Sequence, residues 1–269
     1  MRKIMTLLKA ALLATCAGSV SAQDTADMVR VDVLPGWRAA DGSHYAGLRL
    51  DLAPGWKTYW RSPGEAGVPP LFNWRGSRNL SGVDVIWPSP KPVPQFGFMT
   101  IGYDHDVVVP LRVRPKAGGR DVRLEGQLEI GVCKDICVPI SVNVAQVLPS
   151  AAKKPDPAIV AALTERPYGA EEAGVRSVAC RLSPVEGGVE LTATIRMPKL
   201  GVSEYAVVEA GDPRLWVSAP ETTRQGETLV TRAVLSHVDG RSFAVDRRSL
   251  RFTVLSRGGA VDIQGCSAG

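Results

Sequence analysis

Val122-Arg-Leu-Glu-Gly-Gln-Leu-Glu-Ile130 carries apolar side chains at 122, 124, 128 and 130, charged or amide side chains at 123, 125, 127 and 129, and a glycine at 126. A period of two sends alternate side chains to opposite faces, so this stretch is a β-strand with one face buried and one facing water. The same texture recurs upstream in Val29-Arg-Val-Asp-Val33 and Tyr45-Ala-Gly-Leu-Arg-Leu-Asp-Leu52. It returns downstream in Gly188-Val-Glu-Leu-Thr-Ala-Thr-Ile195, Thr228-Leu-Val-Thr-Arg-Ala-Val-Leu235 and Ser249-Leu-Arg-Phe-Thr-Val-Leu255. Short alternating runs bounded by Gly, Pro, Asp and Asn predict an all-β chain: two immunoglobulin-like antiparallel β-sandwich domains.

Between the two groups of strands, Leu148-Pro-Ser-Ala-Ala-Lys-Lys-Pro-Asp-Pro157 has the composition of a linker. Asp156 and Pro157 then supply a helix cap and first position, predicting a short helix through Leu163. The expected organisation is a signal peptide over 1–22, a sandwich over 23–149, a linker with its helix over 150–174, and a second sandwich over 175–269. The prolines of Trp87-Pro-Ser-Pro-Lys-Pro-Val-Pro94 remove ladder donors, so this stretch is expected as an exposed, stiff connection. It leads into Gln95-Phe-Gly-Phe-Met-Thr-Ile101, an apolar loop of the kind that covers something.

The N-terminus opens Met-Arg-Lys, continues through an apolar stretch interrupted by Lys9, and reaches Val20-Ser-Ala22. This is the pattern of a secretory leader cleaved after Ala22, which places the mature chain in the periplasm. A lipid attached at Cys16 is disfavoured by Thr15 beside it. No later run is long enough to span a membrane as a helix. Removing Arg2, Lys3 and Lys9 with the leader lowers the formal charge from +5 to +2, too little and too scattered to point to nucleic acid.

Without Cys16 the cysteines are 133, 137, 180 and 266, an even number suited to two disulfides in an oxidising compartment, with three possible pairings. Cys180 stands in the first strand of the second half and Cys266 beyond its last. Joining them closes a loop of over eighty residues, worth roughly 4–5 kcal/mol in chain entropy, so this pair is expected to be structural. Cys133 and Cys137 are then left to each other in a small ring that contributes less to the fold and is easier to open. Spacing alone leaves an inert staple and a redox-active pair both open. Lys134 favours a thiolate and Asp135 opposes one. Nothing around the pair is helical, which disfavours a thioredoxin fold.

Cys133-Lys-Asp-Ile-Cys-Val-Pro139, with Pro54-Gly-Trp-Lys-Thr-Tyr-Trp-Arg-Ser-Pro-Gly-Glu-Ala-Gly67 upstream, resembles the N-terminal periplasmic region of DsbD-type thiol:disulfide interchange reductases, especially the ScsB branch linked to copper tolerance. The resemblance spans roughly residues 28–148. It implies an immunoglobulin-like domain that receives electrons from a membrane domain and passes them to periplasmic thioredoxin-like proteins, without a cofactor. It also implies that Cys137 forms the mixed disulfide and Cys133 resolves it. Phe96 and Phe98 would be the shielding aromatics of a cap loop over residues 94–103, and Tyr59 and Tyr103 would be neighbours of the pair. Better-known relatives space their cysteines more widely, and the sequence stops at Gly269, so a separate membrane electron donor is expected.

A copper-binding module, with Met99 or His105 helping the two thiolates, is the main rival, since soft sulfur ligands select Cu(I). Against it, His44, His105 and His237 are widely scattered. A structural sandwich with two inert disulfides is the other alternative. Glu65 suits a solvated turn better than an acid catalyst, and no catalytic triad, phosphate loop or nucleotide fingerprint is present.

Overall fold

In the computed structural model, which describes residues 27–269, the alternating stretch at 122–130 lies within one long strand of the first of two β-sandwiches. The expected leader over 1–22, with Cys16, lies outside the described residues.

The first sandwich contains β1 (Val29–Arg38), β2 (His44–Leu52), β3 (Lys57–Gly64), β4 (Leu71–Asn73), β5 (Leu80–Val85), β6 (Lys91–Gln95), β7 (Phe98–Tyr103), β8 (Val107–Pro115), β9 (Val122–Cys133) and β10 (Cys137–Leu148). One sheet runs β1-β2-β8-β5 and the other β10-β9-β3-β7-β6, with β4 also on β9. Every pairing in this sandwich is antiparallel. Val122, Leu124, Leu128, Ile130 and Val132 of β9 face Leu48, Leu111 and the fully buried Trp60 in the core.

The helix α1 (Pro157–Thr164) follows, with the Asp156 carboxylate accepting from the Ala158 and Ile159 amides as its cap. Its Ile159 is fully buried against Gly47 and Val108 of β2 and β8. The second sandwich contains β11 (Tyr168–Gly169), β12 (Ser177–Val185), β13 (Gly188–Arg196), β14 (Tyr205–Glu209), β15 (Leu215–Val217), β16 (Glu221–Gln225), β17 (Thr228–His237), β18 (Arg251–Ser256), β19 (Gly259–Gln264) and β20 (Ser267–Ala268). Its sheets run β11-β19-β18-β14 and β15-β17-β13-β12-β20, with β16 on β17. Two short pairings here, β11 with β19 and β12 with β20, are parallel.

Two expectations change. Residues 91–95 of the proline-rich stretch form β6, and Pro88 and Pro90 before it are buried, so it is not an exposed connection. The prolines are accommodated because β6 is the edge of its sheet, where a missing N–H breaks no second ladder. The apolar segment after it is a hairpin, with Gln95 opposite Phe98 and Phe96-Gly97 as the turn. Both turn residues have positive φ, 49° and 83°, the backbone that two-residue hairpin turns demand. Phenylalanine is a strained choice at the first of them.

The sandwiches share a boundary. Arg61 of β3 donates through Nε and Nη2 to both carboxylate oxygens of Glu209 at 3.0 and 2.9 Å, and through Nη2 to Thr253 Oγ1 at 3.2 Å. Its guanidinium also stacks on the Trp60 ring at 3.8 Å. Tyr205, Val207, Leu255 and Ala260 of the second sandwich pack into the apolar cluster of the first.

His44 begins β2 fully buried, with Nε2 2.6 Å from the Pro35 carbonyl oxygen and, among the described residues, no partner for Nδ1. Burial lowers its pKa from the ordinary 6.5, against the opposing pull of the Pro35 carbonyl. The folded chain therefore takes up this proton at lower pH than the unfolded chain, and stability present above pH 6.5 is lost as pH falls through 6.5 toward the folded value. Urea midpoints measured from pH 7 to pH 5 are expected to fall more steeply in the native protein than in His44→Gln. Equal slopes would remove His44 as the cause.

Candidate functional site: a buried and an exposed sulfur at a hairpin tip

β9 and β10 form one continuous hairpin whose last pair is Cys133 opposite Cys137, with Lys134-Asp135-Ile136 as the turn. The second strand thus begins at Cys137 itself, and Pro139 is tolerated because β10 is an edge. The two cysteines are joined as a disulfide with their Cα atoms 4.2 Å apart. Cys133 is fully buried, whereas Cys137, Lys134, Asp135 and Ile136 are exposed.

Strand parity explains the burial of Cys133. Val132 points into the core, so Cys133 and Gly131 point to the opposite face of the sheet. There they meet Tyr59, which is out of phase with the core residue Trp60 on β3 in the same way. The Tyr59 ring lies where a side chain at Gly131 would stand, 3.1 Å from the position of a Cβ, and it is equally close to Gly67, at 2.9 Å. Side chains at 67 or 131 would displace it.

The Tyr59 hydroxyl lies 2.7 Å from Cys133 Sγ and 3.2 Å from Cys137 Sγ, and donates to Gln95 Oε1 at 3.1 Å. Gln95 Nε2 in turn donates to Cys137 Sγ at 3.0 Å. Tyr59 and Gln95 are 3% and 5% exposed. Burial raises the Tyr59 pKa above the usual 10, against the Gln95 hydrogen bond, so at neutral pH the group is an intact O–H.

The sequence-derived candidates divide. Tyr59 contacts both sulfurs. Tyr103 does not belong with it: opposite Thr58 in register, it faces the core and donates to the Pro88 carbonyl at 2.8 Å. One residue of parity separates the two tyrosines. Phe96 and Phe98, expected as shields, are 63% and 50% exposed, and the hydrogen bond from their hairpin to the pair comes from Gln95, which sequence reasoning missed. An amide held between Pro94 and Phe96 in an apolar stretch was the available sign. Lys134 lays its aliphatic stem over Gly55, and Asp135 extends to solvent. Met99 packs against the first core and His105 bonds Asp104 at 2.8 Å. Among the described residues no group of three His, Cys, Asp or Glu side chains is placed to hold a metal ion. Cys180 and Cys266 form the other disulfide, spanning 86 positions of the second sandwich.

Residues 30–149 match the family described as thiol:disulfide interchange protein DsbD, N-terminal. The matched residues are those of the first sandwich, which is similar to that family along nearly its whole length. The chain as a whole has the fold seen in the crystal structure of the N-terminal periplasmic domain of ScsB from Proteus mirabilis, with a TM-score of 0.66 and 24% identity over 90% of this chain and 92% of that one. No curated protein sequence matches it. Within the matched region the cysteine pair occupies the tip of the β9–β10 hairpin, with one sulfur exposed and the other buried beneath Tyr59.

Proposed function

We propose that the chain is a periplasmic thiol–disulfide exchange protein, the soluble component of a protein-disulfide reductase system. It takes electrons from a separate membrane donor and passes them through Cys133 and Cys137 to thioredoxin-like partners. The observation that carries this reading is the asymmetry of the pair, with Cys137 exposed and Cys133 buried behind it. In the reduced protein the Cys137 thiolate attacks one sulfur of the partner's disulfide, and the partner's other sulfur leaves as a thiolate. Cys133, deprotonated, then attacks Cys137 Sγ, which closes the native disulfide and expels the partner's second thiolate. Two electrons move to the partner, and two protons follow from the protein's thiols by way of solvent. Phe96, Phe98 and Ile136 give the rim of the site the exposed apolar surface that a docking protein covers.

Opening the pair costs the fold little. On the chain-entropy model, the four-residue separation is worth about 1.9 kcal/mol, against about 4.6 kcal/mol for a separation of 86. After mild reduction of the native protein, alkylation followed by peptide mass analysis is expected to label Cys133 and Cys137 and leave Cys180 and Cys266 unlabelled until denaturant is added. Equal resistance of the two disulfides would overturn the proposal in favour of two structural staples.

A further inference from the structure

The hydrogen-bond partners of the two sulfurs differ in kind. Cys137 Sγ faces an amide N–H, a group that only donates, at 3.0 Å. Cys133 Sγ faces the Tyr59 oxygen at 2.7 Å, a group that accepts as well as donates. The hydroxyl has one proton, and Gln95 Oε1, 3.1 Å away, is the strongest acceptor in its reach. While the disulfide is closed neither sulfur carries a proton and each can only accept, Cys137 from Gln95 Nε2–H and both from the one Tyr59 proton, for which Gln95 Oε1 competes. Reduction adds two electrons and makes the partners matter. A thiol at Cys133 completes an ordered chain in which Cys133 S–H donates to Tyr59, Tyr59 donates to Gln95 Oε1, and Gln95 Nε2–H donates to the Cys137 thiolate. The reverse assignment leaves a negative sulfur fully buried against the Tyr59 hydroxyl and takes its proton away from Gln95.

We propose that Gln95, donating directly to Cys137 and accepting the Tyr59 proton, is the positioning residue that decides which sulfur is the nucleophile, holding Cys137 as thiolate and Cys133 as thiol. This rests on the exchange chemistry proposed above, and supplies it with a direction. The charged groups beside the pair are Lys57, Lys134 and Asp135. Lys57 stands opposite Cys133 in register, half-buried and within the field of Asp104. Lys134 lies over Gly55, and Asp135 is exposed.

The test is the pH profile of iodoacetamide alkylation, read cysteine by cysteine in the reduced full chain with Cys180–Cys266 intact. In the native protein Cys137 is expected to have the lower midpoint. Gln95→Glu keeps the shape but replaces the donor with a carboxylate, and should raise the Cys137 midpoint by about one pH unit, an alkylation rate about tenfold lower below it. Gln95→Met, which fills the space without a donor, should give a smaller rise in the same direction and carries the test if the glutamate variant fails to fold. Cys133 should change little in Gln95→Glu, whose carboxylate still accepts the Tyr59 proton, and its midpoint should fall in Gln95→Met, which frees that proton for Cys133. A Cys137 midpoint indifferent to both substitutions, or Cys133 titrating first in the native protein, overturns the proposal. A separate assay with oxidised thioredoxin as acceptor tells the two proposals apart. The expected alkylation profiles without electron transfer would sink the exchange reading and leave the role of Gln95 standing, and electron transfer with indifferent profiles would do the reverse.

Discussion

Serine at position 133 is expected to turn a transient complex into a stable one. With Cys133→Ser, the Cys137 thiolate still attacks a thioredoxin-like protein whose single cysteine is activated as a mixed disulfide with thionitrobenzoate. Thionitrobenzoate leaves and a protein–protein disulfide forms, with no second sulfur behind Cys137 to break it. A non-reducing gel should show at least tenfold more of this adduct than the native protein gives, because in the native chain Cys133 lies across the hairpin from Cys137 and displaces the partner. Cys137→Ser should give almost none, since the remaining sulfur is fully buried beneath Tyr59. Equal adduct from the two variants would mean that both sulfurs are reachable, contrary to the proposed roles.

The largest effect on stability is expected from the other pair. Cys180 lies in β12, and Cys266 immediately precedes β20, whose residues Ser267 and Ala268 pair with Ala179 and Cys180. The Gly269 amide also donates to the Cys180 carbonyl at 3.0 Å, so the disulfide fixes a two-residue strand that has little else to hold it. Cys180→Ala with Cys266→Ala is expected to cost about 4–5 kcal/mol, a large share of the roughly 5–15 kcal/mol that stabilises an ordinary domain. The corresponding double variant at 133 and 137 should cost less than half as much. Urea unfolding of both variants measures the difference, and similar losses would mean that loop length does not govern it.

The strands of the first sandwich were legible because one face of each meets an apolar core, and that alone enforces a period of two in β2 and β9. The helix was legible from its cap, Asp156, since the capping bond is local. β6 was not, because proline content argues against a strand until the neighbour it lacks is known, and edge position is a property of the whole sheet. The same limit applied at the site. The cysteine spacing and Tyr59 could be picked out, but Tyr103 looked equivalent to Tyr59 while the register of β7 on β3 was unknown. Gln95 joins the site across 42 positions of sequence from Cys137, and the amide in an apolar stretch that marks it locally does not name so distant a partner.

Arg61 stands two residues beyond Tyr59 on β3. One strand therefore presents its hydroxyl to the sulfurs and its guanidinium to Glu209 of the second sandwich. Tyr205, Val207, Leu255 and Ala260 fill the same apolar cluster as Trp60 and Ile101. A chain divided in the 150–174 segment would leave that apolar patch bare and Arg61 without its carboxylate. For anyone preparing the exchange domain by itself, the second half is a built-in cover, and an expression fragment that keeps it should stay dispersed where a shorter one clumps.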